Sequence, residues 1–405
     1  MRRVVITGLG PVTPIGTGTE ALVDGLCSSR SGIGPIEIFD ASTFPTTIAA
    51  QVRDLDPRSV LGEATESVLA DRKIALAVLA ARLALEDAFG EARAPGGETV
   101  LLSLGIGLEL LLLQHMVREP PDEHFLRVPL DRGPREIARR FGVSGPIATH
   151  VTACVAGSQA IGQAFRAVRR GECAVALAGG ADSMVNPMGL GGFSLLSALS
   201  RRNDLGPRAC RPFDRSRDGL VLGEGAGVLV LEERERALAR GAKIHAEVLG
   251  YGTSLDAFHV TAPPLDGEGA ARAMRAAYRD AGISPDEIDY VNAHGTSTPQ
   301  NDPAETRALK TALGERARAI PVSSTKSQIG HTISAAGAIE AIVTALALER
   351  SIVPPTINLE EPDVECDLDY VPGVARTKKL GIAQSNSFGF GGQNAILILG
   401  ASDDR

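Results

Sequence analysis

The sequence predicts a layered α/β protein built from a duplicated unit. Two observations carry that reading. Short apolar runs of strand length alternate with Ala- and Leu-rich helical runs, the pattern of buried sheets covered by helices. The second half of the chain then repeats the element order of the first. The 405 residues suffice for one bilobed unit or two to three domains, and 44% hydrophobic with 22% charged residues is globular usage.

The elements follow in order. Arg3 to Thr7 (RVVIT) reads as a first strand that stops at Gly8, and residues 74–89 form a long Ala/Leu helix. Residues 99–103 (TVLLS) make a strand. A helix then begins at Cys154, with Ile161, Ala164, Phe165 and Val168 at i, i+3, i+4, i+7 spacing, and closes on Arg169, Arg170 and Gly171. The strand at 174–178 (AVALA) ends at Gly179-Gly180, and residues 228–231 make another. In the second half, helix 270–281 matches 74–89, strand 288–292 (IDYVN) matches 99–103, and helix 334–348 matches the one begun by Cys154. The join falls in the charged stretch 232–241, which divides the chain into residues 1–240 and 241–405.

Composition excludes several functions. A net charge of −8 argues against a nucleic-acid surface, although Arg169-Arg170 and Arg201-Arg202 could form local basic patches. Five scattered cysteines without C-x-x-C spacing make no disulfide framework and suit a reducing, cytoplasmic setting. The apolar run behind Arg2-Arg3 is broken by Gly8, Gly10 and Pro11, so it is no signal peptide, and no run reaches membrane-spanning length. No metal-ligand spacing occurs among the seven histidines. Four leucines at 110–113 fit neither a one-sided strand nor an amphipathic helix and call for cover on more than one side, as at a subunit interface.

Four segments carry chemistry. Cys154 in VTACVAGS heads a helix, where unpaired N–H groups and the dipole favour a thiolate; a nucleophile and a buried structural cysteine are both consistent with that position. NAHGTSTP sets His294 at the carboxyl end of a strand, where ligands sit in open α/β sheets, or where a histidine simply stabilises a turn. SSTKSQIGH offers Lys326 and His331 ahead of a small-residue helix. NSFGFGGQN, with three glycines around Phe390, reads as a loop whose backbone approaches something closely, without being a P-loop.

Together with ITGLG (6–10), RPFDRSRDG (211–219) and GEGAG (223–227), these segments resemble the β-ketoacyl-acyl-carrier-protein synthases, closest to the synthase II type, over nearly the whole chain. The resemblance implies the thiolase fold, two similar halves in five αβαβα layers. It implies Cys154 as the nucleophile that accepts an acyl chain from a carrier-protein thioester. It implies His294 and His331 as the pair that binds the malonyl thioester carbonyl and assists decarboxylation. Lys326 matches the active-site lysine, and Glu305 a carboxylate paired near it. Thr261, Thr296 and Thr298 look like the hydroxyls that hold the phosphopantetheine arm. Phe390 looks like a gate, its N–H forming an oxyanion hole with that of Cys154. No metal or redox cofactor is implied, and the substrates ride on acyl carrier protein. The implied assembly is a dimer, homomeric or with a chain-length-factor homologue, in fatty acid or type II polyketide elongation. A non-catalytic partner or scaffold subunit is the alternative, against which Cys154 and both histidines argue. Leu108-Glu109, the stretch from there to Phe141, and Gln393 depart from the family pattern.

Overall fold

A computed structural model describes residues 1–64, 66–107 and 131–402. The leucines at 110–113 and Leu108-Glu109 lie outside the described residues. Ten main strands build the frame. They are β1 (Val4–Thr13), β2 (Val100–Ile106), β3 (Ile147–His150), β4 (Val175–Ser183) and β5 (Glu224–Glu233), then β6 (Ala246–Leu255), β7 (Tyr290–Asn292), β8 (Val322–Ser323), β9 (Ile382–Gly389) and β10 (Gln393–Gly400). The first five pair in the order β3-β2-β4-β5-β1 and the second five as β8-β7-β9-β10-β6. Each half has the same pairings: β1–β5 and β5–β4 antiparallel, β4–β2 and β2–β3 parallel, matched by β6–β10, β10–β9, β9–β7 and β7–β8. The halves join where Val4 to Ile6 pair with Ala246 to Val248. Duplication, suggested only by element order in the sequence, is thus complete at the level of strand topology.

Five main helices complete the layers: α1 (Arg72–Phe89), α2 (Ala156–Arg170), α3 (Glu268–Ala281), α4 (Asn301–Leu313) and α5 (Ala336–Arg350). One apolar core packs α1 on the outer face of the first half-sheet and another packs α3 and α4 on the second. A third core lies between the half-sheets and contains α2 and α5. That gives five layers. The two central helices touch at glycines. A Cβ on Gly157 would lie 2.8 Å from Ala338 N, and one on Gly337 2.1 Å from Ser158 Oγ. Any side chain would force the helices apart, so small residues here set where both N-termini meet.

Several strands run past their sequence limits. The first continues from Gly8 to Thr13, and AVALA continues through Gly179-Gly180 to Ser183. These glycines do not end the strands but mark close approach. A Cβ on Gly180 would sit 2.4 Å from Ser334 O in the turn before α5. Gly171, at φ 79, does close α2 as predicted. Residues 234–239 of the join form one short helical turn pair. Among the described residues no helix is long and apolar enough to cross a membrane.

Candidate active site

Cys154 does not begin α2 directly. It sits in a 3-10 turn, Ala153–Val155, and Ala153 is held at φ 49, a left-handed conformation uncommon for a residue with a side chain. The turn aims the thiol into a cavity of about 370 Å³ lined by Cys154, His294 and His331. A sulfur and a ring nitrogen from each histidine lie within 4.8 Å of one another. The imidazoles meet edge to face, centroids 5.2 Å apart, and Phe388 packs on His294 at 5.6 Å.

The hydrogen bonds behind each ring decide its tautomer. Ile333 N–H donates to His331 Nδ1 at 3.2 Å, so that nitrogen is an acceptor and Nε2 bears the proton. The Lys326 ammonium lies 3.2 Å from His294 Nδ1, with the same consequence. Burial first, then Lys326, keeps both histidines well below the ordinary imidazole range, hence neutral. Two N–H donors are left facing the cavity, an arrangement suited to a developing oxyanion. Thiol plus two imidazoles is also a metal-ligand set, but a metal would need the nitrogen lone pairs that this tautomer turns away.

Main chain supports both rings. His331 N–H donates to Val221 O at 2.7 Å and Gly223 N–H to His331 O at 2.9 Å, which pins the histidine to the GEGAG segment entering β5. Behind His294, the Glu305 carboxylate accepts the N–H groups of His294 and Gly295, each at 2.8 Å, and Asn386 Nδ2 at 2.9 Å. This corrects the expected role of Glu305. It is 1% exposed, does not line the cavity, and anchors the His294 turn rather than pairing with Lys326 or touching substrate. Lys326 pairs instead with Glu340 of α5, and both are fully buried. Burial pushes the Glu340 carboxyl up to about 7 against the pull of Lys326. Sequence reasoning missed Glu340. The available signal was a lone acid inside the apolar run AGAIEAIVTALAL, since an acid there is buried only with a partner.

The thiol also departs from expectation. Burial pushes Cys154 up to about 12, opposed by Lys326 and by the main-chain N–H groups of Phe390 and Cys154. A helix terminus offers about 0.3–2 kcal/mol, at most roughly 1.5 pH units, so at rest desolvation wins and the group is a thiol. Phe390 lines the cavity with its ring 6.0 Å from Phe193. Thr261, Thr296 and Thr298 line it too, and the hydroxyls of Thr296 and Thr298 lie 2.8 Å apart. Lys326 does not line the cavity; it contacts His294 Nδ1 behind it.

Profiles of the beta-ketoacyl synthase N-terminal and C-terminal domains match residues 1–237 and 245–360. The chain belongs to the beta-ketoacyl synthase family. It is 45% identical to 3-oxoacyl-[acyl-carrier-protein] synthase 2 of Synechocystis, over 98% of this chain and 97% of that one. The corresponding synthase of Coxiella burnetii is 43% identical, over 98% of each chain. Among solved structures, the ishigamide ketosynthase/chain length factor superposes with a TM-score of 0.89 at 40% identity, over 99% of both chains. A type II PKS acyl-carrier protein in complex with its ketosynthase gives 0.89 at 33%, over 99% of this chain and 100% of that one. The five layers are therefore the thiolase-like ketosynthase arrangement, and the activity class is that of a condensing acyltransferase.

Proposed function

We propose that this enzyme elongates an acyl chain held on Cys154 by decarboxylative Claisen condensation with malonyl-acyl carrier protein. One observation carries the reading: the buried Cys154 thiol and the two imidazoles line one cavity, with their sulfur and ring nitrogens within 4.8 Å of one another. In the first step Cys154 Sγ attacks the carrier thioester. The oxyanion rests on the Cys154 and Phe390 N–H groups, and the carrier leaves as a thiol, taking the proton that Cys154 gives up. In the second, the malonyl carboxylate departs as CO₂ and its electron pair forms an enolate. The negative oxygen accepts from His294 and His331. The enolate carbon then attacks the Cys154 thioester, a C–C bond forms, the C–S bond breaks, and the expelled Cys154 thiolate takes a proton from solvent.

In this reading residues 1–240 carry the nucleophile and 241–405 carry both histidines. Thr261, Thr296 and Thr298 hold the phosphopantetheine arm, and the Phe390 loop gates the cavity. The partners are acyl carrier protein and a second subunit, identical or a chain-length-factor homologue. Terminal strand β3 supports a second subunit, because Ile147 there and Val151 just beyond are 40% and 47% exposed. Free cysteines fit a reducing compartment, and we place the reaction in the cytoplasm. Intact-mass analysis with an acyl-carrier donor, followed by malonyl-carrier, tests the sequence of steps. An acyl adduct on Cys154 that malonyl-carrier converts to a β-ketoacyl-carrier is expected. An adduct stable to malonyl-carrier overturns the proposal.

A further inference from the structure

We infer that Arg217 is a positioning residue for recognition of the carrier arm, acting through the Thr296–Thr298 turn. This rests on the reading that those two hydroxyls hold pantetheine. Arg217 is 8% exposed and lies behind the cavity wall. Its guanidinium donates to two consecutive carbonyls of the turn, Thr298 O at 3.0 Å from Nε and Pro299 O at 3.1 Å. It also donates to Asp214 O at 2.8 Å and Asp363 Oδ2 at 2.6 Å, with Asp302 Oδ2 at 3.6 Å. Asp302 in turn accepts Thr296 N–H at 3.1 Å and Phe213 N–H at 2.8 Å.

The same RPFDRSRDG segment grips the turn from the other side. Arg211 N–H donates to Ser297 Oγ at 2.9 Å and Gly219 N–H to Ser297 O at 3.1 Å. Ser297 is held at φ 68, a conformation that a serine keeps only when its surroundings impose it. So the turn does not set its own shape. A planar fork and two carboxylates shape it, and lysine, a single point donor, cannot reach both carbonyls in the same way. The consequence lies in where Thr296 and Thr298 point, hence in how an amide-bearing arm binds. The thiol and the histidines are set by other contacts.

The test compares acyl transfer to Cys154 from a pantetheine thioester and from the same acyl thioester of ethanethiol, which has no arm. Arg217→Lys is expected to raise KM for the pantetheine thioester roughly tenfold with kcat little changed, and to leave the ethanethiol thioester unaffected. Equal loss on both, or loss on neither, overturns the inference. Asp363→Asn frees one arm of the fork from a partly exposed carboxylate and keeps the test decisive should the lysine variant not fold. It must shift the same KM in the same direction, and an unchanged KM overturns the inference. The double variant Thr296→Val/Thr298→Val separates the layers. If it leaves the pantetheine KM unchanged, the underlying reading fails. If it raises that KM while the Arg217 and Asp363 variants do not, only the Arg217 inference fails.

Discussion

Replacing His331 separates a hydrogen-bond donor from an acid or base. Its ring does two things: Nδ1 accepts Ile333 N–H at 3.2 Å, and Nε2–H faces the cavity. His331→Ala removes both. Losing one donor to a developing oxyanion costs about 2.7–4 kcal/mol, or 10²–10³ in rate. Leaving the buried Ile333 N–H without an acceptor adds about 1–3 kcal/mol of instability in the turn beside Cys154. Two further substitutions divide these losses. An asparagine amide reaches the Nδ1 position and can accept from Ile333, but offers nothing at Nε2. A glutamine amide reaches the Nε2 position and restores the donor. His331→Asn should therefore unfold near the wild-type midpoint yet condense no better than His331→Ala. His331→Gln should recover at least one decade of the two or three lost. All three should still accept an acyl group on Cys154, measured by intact mass, with condensation followed as CO₂ release and product. If glutamine condenses no faster than asparagine, His331 is not acting as a neutral donor. Titration of the rings gives the same test. Both histidines lie well below 6.5, so they are neutral above that pH and the donor tautomer persists. Protonating His331 would put a proton where Ile333 N–H now points, and protonating His294 would set it against Lys326. The two imidazole rings should thus titrate only well below pH 6.5, and a ring that titrates at 6.5 by NMR would contradict the assignment.

Other outcomes follow from the same structure. Cys154→Ala should abolish acylation but leave malonyl-carrier decarboxylation, measured as CO₂ release, and an acyl adduct on Cys173 or Cys210 would refute it. Glu340→Gln should destabilise more than Lys326→Met in urea unfolding, up to about 3–5 kcal/mol, because it strands a buried ammonium. A carboxyl already at about 7 takes up a proton instead when its partner goes, so equal losses would count against this account. His245, 2% exposed, is clamped between Asp87 at 2.8 Å and Glu349 at 2.7 Å, and these carboxylates raise its pKa against burial. Its stabilisation is complete below about 6.5 and lost as pH rises through the raised value. His245→Leu should therefore lower Tm by about 2–3 °C near pH 6 and by less at alkaline pH, a gap of roughly 2 kcal/mol over 405 residues. A gap that widens with pH would show a neutral ring. Leu→Asp changes at 110–113 should disturb dimerisation or acyl-chain preference in light scattering and turnover, and a stable active monomer would exclude the interface reading.

What the sequence made legible was local. Cys154, His294, His331 and Phe390 stand at ends of strands and helices, where a motif of a few residues states both the chemistry and the backbone that presents it. What it hid depends on contacts far along the chain. Lys326 could be matched to a carboxylate only by guessing which one, since α4 carries Asp302 and Glu305 and α5 carries Glu340 and Glu349. The choice is made in three dimensions: α4 turns Glu305 toward the His294 and Gly295 N–H groups, and α5 carries Glu340 to Lys326. The protonation of Cys154 is hidden for a related reason. The helix terminus is visible in sequence, whereas burial depends on how both halves close over the sulfur. Glycines misled in the same way. Gly10 in β1 would put a Cβ 1.9 Å from Ala80 O, and Gly252 in β6 one 2.2 Å from Ala273 O. ITGLG and VLGYG are thus one repeated device for seating an outer helix on a strand, and comparing them would have strengthened the duplication.

The duplication also explains the division of labour in the site. Two matching turns precede α2 and α5: Ala153–Val155 with Ala153 at φ 49, and Ile333–Ala335 with Ile333 at φ 47. Each is closed by an N–H to a threonine carbonyl, Val155 to Thr152 and Ala335 to Thr332. In this correspondence Ser334 is the counterpart of Cys154. The first turn presents its side chain to the cavity. The second instead donates Ser334 N–H to the buried Asp182 carboxylate at 3.0 Å, so that end of the helix is already occupied. Because Gly157 and Gly337 let the helices touch, the two turns lie side by side, and His331, three residues before Ser334, falls beside Cys154. One copy of the turn therefore supplies the nucleophile. In the mechanism proposed above, the other, its anion-binding end filled by the protein's own carboxylate, positions His331 as a donor for the partner substrate's oxygen. A single unduplicated half has only one such helix end, so it could offer the thiol or the donor but not both at this spacing.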